Sequence, residues 1–163
     1  MLNQTDTLAR RTNTSNPIEK PFWEVKSLNE MTLAEWEALC DGCGRCCLHK
    51  LEDIDSAEIY YTRVICRFFD LEQGRCTVYA ERTQLVPTCL KLDAALITQL
   101  KWIPRTCAYR RLAESQGLAD WHPLVCGNKR KMQHTGISVS RKVVSEADID
   151  MDRLEDFVVE WFD

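Results

Sequence analysis

The chain has 163 residues, 45% of them hydrophobic, with a formal net charge of −4 and a pI near 5.5. That length suits one domain able to bury its own core, and the mild acidity argues against nucleic acid or an anionic membrane as partner. The longest uninterrupted apolar run, Ala94 to Ile97, falls far short of the roughly 20 residues a bilayer span needs.

Residues 1–20 are rich in Thr and Asn and poor in large apolar side chains, the composition of a flexible N-terminal tail. They contain Arg10, Arg11, Glu19 and Lys20 but no apolar h-region, so no secretory signal is visible and the protein reads as cytoplasmic. Bulk begins at Pro21-Phe22-Trp23, which sets the folded domain at 21–163. Thr32-Leu33-Ala34-Glu35 reads as a capping box opening a helix, with Leu33, Trp36 and Cys40 on one face and Gly42 and Gly44 ending it.

A short helix is expected over Asp53 to Ile59 and a strand over Ile59 to Cys66. Phe68 to Leu71 and Thr77 to Tyr79 flank Glu72-Gln73-Gly74, a plausible hairpin turn. Helices follow at Asp93 to Trp102, ended by Pro104, and at Thr106 to Gln116, closed by Gly117. Ile137 to Val144 alternates like a strand. Asp150 to Phe162 places Leu154, Phe157, Val158 and Trp161 at helical spacing. The sum is an α+β fold, mostly helical, a small single domain with short strands built around a cysteine-ligated metal site.

Nine cysteines drive that last expectation. The cytosol keeps thiols reduced, an odd number strands one of any full disulfide set, and four cysteines within eight residues are not scattered core thiols. Cys40-x2-Cys43-x2-Cys46-Cys47 lets one turn of backbone place three thiolates around one centre, and Gly42 and Gly44 permit the positive φ angles such wrapping demands. The same spacing begins the bacterial ferredoxin motif, in which a cluster takes three local ligands and a distant fourth. Structural zinc more often uses two separated CxxC pairs. The balance favours an iron–sulfur cluster, with Zn2+ as the alternative.

Cys46 and Cys47 are neighbours, whose side chains generally point in different directions, and they either serve two centres, bridge a polynuclear one, or divide into one ligand and one packed thiol. Cys66 and Cys76 lie on either side of the hairpin turn. Cys89 follows Pro87-Thr88, a rigid approach. Cys107 sits in the first turn of a helix, where the dipole favours thiolate. With the run these make eight candidate ligands, enough for two four-ligand sites or for one cluster with several structural cysteines. His49, just beyond the run, is a weaker candidate for ligation or hydrogen-bond tuning. Arg45, Tyr79 and Arg82 are candidates for tuning an anionic cluster. The Lys129-Arg130-Lys131 run reads as a solvated loop. No phosphate loop, dinucleotide fingerprint, catalytic triad or HExxH arrangement is present.

These residues carry a resemblance. Cys40-x2-Cys43-x2-Cys46-Cys47, Cys66-Arg67-Phe68-Phe69, Cys76-x2-Tyr79-x2-Arg82 and Cys89 resemble the CxxCxxCC cysteine-cluster family of bacterial proteins, the YcgN/YkgJ type of zinc- or iron-chelating domain. Pro21-Phe22-Trp23, Leu48-His49-Lys50-Leu51 and Cys107-Ala108-Tyr109-Arg110 are similar to its YcgN branch. The resemblance implies chelation by the eight cysteines. It departs from the family where Thr83 follows Arg82 and Cys89 comes late, and Cys126 lies outside the pattern and reads as a buried thiol. Three functions remain open: a structural or redox metal-cluster protein, a member of or accessory to a protein-modifying enzyme system, and a metal chaperone or adaptor with a protein partner.

Overall fold

Caps and turns, more than long apolar stripes, define the elements of the computed structural model, which describes residues 20–160. The tail expected over 1–20, Lys20 apart, and Trp161 of the last expected helix lie outside the described residues. Helices α1 (Phe22–Val25) and α2 (Leu33–Ala38) open the domain. At α2 the capping box forms as expected: Thr32 Oγ1 accepts from Glu35 N at 3.3 Å, and Glu35 Oε2 accepts from Thr32 N at 2.8 Å. Leu33, expected on the packed face, is 72% exposed; it is Trp36 and Leu39 that turn inward, against Tyr109.

Strands β1 (Leu48–Glu52) and β2 (Ile59–Ile65) pair antiparallel with a bulge between Leu48 and Lys50. The short helix expected over 53–59 is instead their connecting turn. Asp53 Oδ1 accepts from Asp55 N, Ser56 N and Ser56 Oγ, the competition by which Asp diverts backbone from helix to turn. β3 (Phe69–Asp70) and β4 (Arg75–Cys76) form the expected hairpin, with Phe69 opposite Cys76.

Helices α3 (Arg82–Leu85), α4 (Ala94–Gln99), α5 (Ala108–Ala113), α6 (Pro123–Cys126) and α7 (Lys129–His134) follow, the last occupying the basic run expected as a loop. β5 (Val144–Ser145) adds parallel to the end of β2, so of the strand expected over 137–144 only its last residue pairs. The expected C-terminal α-helix is a 3-10 run, Met151–Phe157, broken at Arg153; beyond it Val158 bridges Thr62, and Val159 N donates to Tyr61 O.

Helices and a few short strands are therefore both present, as expected, but the helices do not dominate. Among the described residues no α-helix exceeds six residues, and turns carry much of the chain. Two apolar clusters hold it together. One packs Leu39, Ile97, Ile103, Ala108 and Tyr109 on the helical side, with Cys107 at its margin. The other packs Leu48, Ile65 and Val139 on the sheet side, with Cys47 and Phe69 at its margin. The Cys40–Cys47 run crosses between them.

Candidate metal centre

The run leaves α2 and turns sharply. Gly42 (φ 76°) and Gly44 (φ 80°) adopt left-handed backbone, as the spacing requires. Buried Asp41 accepts from Cys43 N at 3.0 Å through Oδ1, and Cys47 N donates to Gly44 O at 3.0 Å to close a 3-10 turn over Arg45–Cys47.

Three distant segments fasten this loop. Val139 N donates to Cys43 O and Cys66 N to Cys47 O, both at 3.0 Å. Buried Arg45 donates from Nε to Ile137 O at 2.9 Å and from Nη1 to Thr106 Oγ1 at 3.4 Å. Arg45 therefore ties the run to the 137–139 segment and to the residue preceding Cys107. Tyr79 and Arg82 engage each other: the Arg82 guanidinium lies 3.8 Å from the Tyr79 ring centre, and the Tyr79 hydroxyl donates to Glu37 at 2.7 Å.

The remaining cysteines come to the run from four directions. Cys66 follows the end of β2, and its carbonyl accepts from Phe69 N at 3.0 Å. Cys76 lies in β4 opposite Phe69. Cys89 sits in a turn closed by its own N–H on Val86 O at 2.9 Å, and Cys107 is the N-cap of α5. All nine cysteines are free thiols.

Their electrostatics define a neighbourhood. Cys40 is influenced by Cys46 and Cys107, Cys43 by Cys46 and Cys40, and Cys107 by Cys46. Cys66 is influenced by Cys76 and Cys89, Cys89 by Cys76 and Cys46, and Cys47 by Cys46, Cys66 and Cys40. These influences reach all eight expected ligands without gathering any three of them, among the described residues, around one point. Cys126 stands apart in α6, its thiol on the carbonyls of Trp121 and Asn128 at 3.3 Å each.

Burial pushes Cys40 up to about 12, Cys107 up to about 11 and Cys43 well above the ordinary thiol range. The helix-dipole expectation for Cys107 is thus overturned: the amides of Tyr109 and Arg110 pull its thiol down, but desolvation outweighs them. Cys40 remains open to solvent although neighbouring protein atoms desolvate it. The sulfurs of Cys46 and Cys47 lie 3.9 Å apart. The thiol hydrogen bond from Cys47 lowers Cys46 to about 7, and Cys47 rises in consequence.

Lys50 packs beside this pair. Its ammonium donates to Leu48 O at 2.6 Å and Cys46 O at 3.1 Å, and lies 4.3 Å from the Trp102 ring centre. Burial lowers it to about 8 against the opposing pull of Cys46 and Cys47.

Among the described residues, no three Cys, His, Asp or Glu side chains stand close enough to enclose a single metal ion. The donor chemistry nonetheless fits a thiophilic centre. Buried thiols resist ionising alone, and a bound cation supplies the charge that makes their thiolates stable. The coupled set is sulfur throughout, the donor type that selects zinc and iron–sulfur clusters. His49 does not join it, because Nε2 pairs with Glu146 Oε2 at 2.6 Å. His134 bonds the Arg130 carbonyl at 2.7 Å. His122 is buried, with Nε2 on Leu39 O at 3.0 Å and Nδ1 accepting from Leu124 N.

Asp41, Lys50, His122 and Val139 are the supporting residues that sequence reasoning missed. Only Asp41, two residues before an amide it caps, carried a local signal; the partners of His122 and Val139 lie more than 80 residues away in the chain.

A cysteine-dense loop fastened to three distant segments is the feature expected of a cysteine-based metal-chelating domain. Residues 39–108 match the family model described as "CxxCxxCC: Putative zinc- or iron-chelating domain", a span that contains all eight coupled cysteines and excludes Cys126. The chain is 46% identical over 143 residues to a UPF0260 protein of Rhizobium etli, covering 88% of this chain and 90% of that one. It is 47% identical to one of Cellvibrio japonicus (88% and 97% covered) and 54% identical to one of Gluconacetobacter diazotrophicus (77% and 79%). The chain belongs to the UPF0260 family. No solved structure matches it significantly. Among the described residues, no helix is long and apolar enough to cross a membrane.

Proposed function

We propose that this protein holds iron–sulfur chemistry, its ligands drawn from Cys40, Cys43, Cys46, Cys47, Cys66, Cys76, Cys89 and Cys107, and that it works in the cytoplasm in a structural or electron-transfer role with a protein partner. The observation that carries this reading is the Cys40-x2-Cys43-x2-Cys46 loop, turned by two left-handed glycines and coupled to the distant Cys107. Three local sulfurs and a remote fourth are the usual supply for a cubane cluster, whereas zinc takes its thiolates more often as two separated pairs. Lys50 places a cationic group beside Cys46 and Cys47, and such charges set cluster potential.

The test is anaerobic purification of the full chain followed by metal analysis, acid-labile sulfide determination and visible spectroscopy. Iron with a matching amount of sulfide and broad visible absorption is the expected result. Stoichiometric zinc without sulfide would replace the cluster with a zinc-binding adaptor.

A further inference from the structure

We infer that two copies of this chain pair through unlike charges: the basic run from Lys129 to Lys142 seats on the acidic run from Asp148 to Glu160 of a second copy, and the reverse contact forms at the same time. The inference is independent of which metal the cysteines take.

Charge along the chain supplies the first argument. Between Asp120 and Glu146 there is no Asp or Glu, and five cations, Lys129, Arg130, Lys131, Arg141 and Lys142, stand in that interval. From Glu146 to Glu160 the balance inverts, with seven carboxylates against Arg153 alone. A chain of net charge −4 thus carries an excess of each sign in two consecutive blocks rather than interspersed, and such blocks give a surface a strong local field.

Exposure and pairing supply the second. All five cations are exposed, as are Asp148, Asp152, Glu155 and Glu160. Among the described residues, no carboxylate pairs with Lys129, Arg130, Lys131 or Arg141, and no cation pairs with those four carboxylates. Lys131 donates to a backbone carbonyl, that of Asp120, at 3.0 Å, a contact that leaves its charge in place.

The fold shows why the blocks do not neutralise each other. β5 lies between them in the chain and pairs with β2 at Val64 and Ile65, and Val158 bridges Thr62 of the same strand. Each block is therefore anchored to β2 separately. A surface with one positive and one negative block is self-complementary under a two-fold rotation, which lays each on its opposite in the partner. A nucleic acid or an anionic membrane fits worse, because the acidic block repels it.

Exposed ion pairs alone contribute little, so the interface needs apolar contact as well. Val125, just before the basic run, is 48% exposed, and Met151 and Val158, within the acidic run, are 39% and 38% exposed. Ile137 and Val139 stand in the basic interval and hold the cysteine loop, so the paired surface borders a segment that fastens that loop.

The test uses the full chain, purified anaerobically with reductant so that no intermolecular disulfide forms. Sedimentation equilibrium at about 0.01 M ionic strength should give twice the 18.9 kDa monomer mass, and about 1 M salt, where the screening length falls to about 3 Å, should return it to one. Carbodiimide coupling of mixed light and isotopically heavy chains should join a peptide carrying Lys129 or Lys131 of one label to a peptide from 148–160 of the other. Lys129→Glu with Arg130→Glu, and Asp152→Lys with Glu155→Lys, should each give a monomer. An equal mixture of the two double variants should dimerise, because each reversed surface then meets its match. A wild-type chain that stays monomeric at low salt, a dimer indifferent to salt, or coupling between these runs only within one chain overturns the inference. So does a mixture that stays monomeric while both variants keep the wild-type circular dichroism. The wild-type measurements need no substitution, so a misfolded variant does not spare it.

Discussion

Gly42 and Gly74 meet backbone to backbone: a Cβ on Gly42 would lie 2.3 Å from the Gly74 carbonyl oxygen, and one on Gly74 would lie 3.0 Å from the Gly42 carbonyl oxygen. The contact seats the β3–β4 turn on the cysteine loop, and both residues are left-handed, with φ 76° and 63°. No side chain fits between two backbones at that distance.

Gly42→Ala is therefore expected to be severe. It adds left-handed strain of about 1–2 kcal/mol to a clash with backbone that cannot rotate away, for a total loss of about 3 kcal/mol or more. Thermal denaturation should show it. Gly117→Ala meets nothing within 4 Å and is the control for strain alone; equal losses from the two substitutions would refute the role given to the contact.

His49→Ala should leave the metal content of the purified chain unchanged, because its ring pairs with Glu146 rather than with the sulfurs. The cost is one hydrogen bond to a charged group, about 1–3 kcal/mol. Elemental analysis of the variant checks the claim, and a lost metal equivalent would make His49 a ligand.

Arg45→Met removes the bonds from a buried guanidinium to the half-buried Ile137 carbonyl and Thr106 hydroxyl, which should cost about 1–3 kcal/mol. Because those bonds hold two of the segments that fasten the loop, metal loading should fall together with the melting temperature. A variant that melts as the wild type does would show the loop to be held by other contacts.

Stability should depend on pH with opposite signs in the two metal states. In the metal-free chain, Cys40 and Cys107 are held neutral, at about 12 and about 11 against an ordinary 9.0. A raised folded-state value stabilises fully below the unfolded value and is lost as pH rises through the folded one. The metal-free protein should thus weaken progressively above pH 9. The metal-loaded protein needs thiolates and should instead weaken on acidification, as protons compete for sulfur. Melting curves against pH, with and without metal, check both signs. A metal-free chain no less stable at alkaline pH would contradict the burial assigned to these thiols.

Local chemistry was legible in the residues alone. The capping box at Thr32 and Glu35, the turn at Gly74, the left-handed glycines of the run and the candidacy of eight cysteines all follow from side-chain types at short spacing, because hydrogen-bond reach and backbone sterics act over a few residues. Two of the expected helices failed for a tertiary reason. Asp53 captures its own turn where a short helix is expected, and the segment after Phe157 runs onto β2 despite its helical spacing, since an apolar stripe stays helical only where a groove receives it.

Tertiary structure alone decided what the sulfurs face. Cys107 occupies a helix start that favours thiolate, yet desolvation reverses the sign. His49 stands next to the run, yet Glu146, 97 residues away, takes its ring. Composition and spacing determined that this protein is rich in metal-binding thiols. Which thiols share a neighbourhood, and which stay protonated without a metal, depends on burial and long-range contact, quantities that arise only when distant segments pack together.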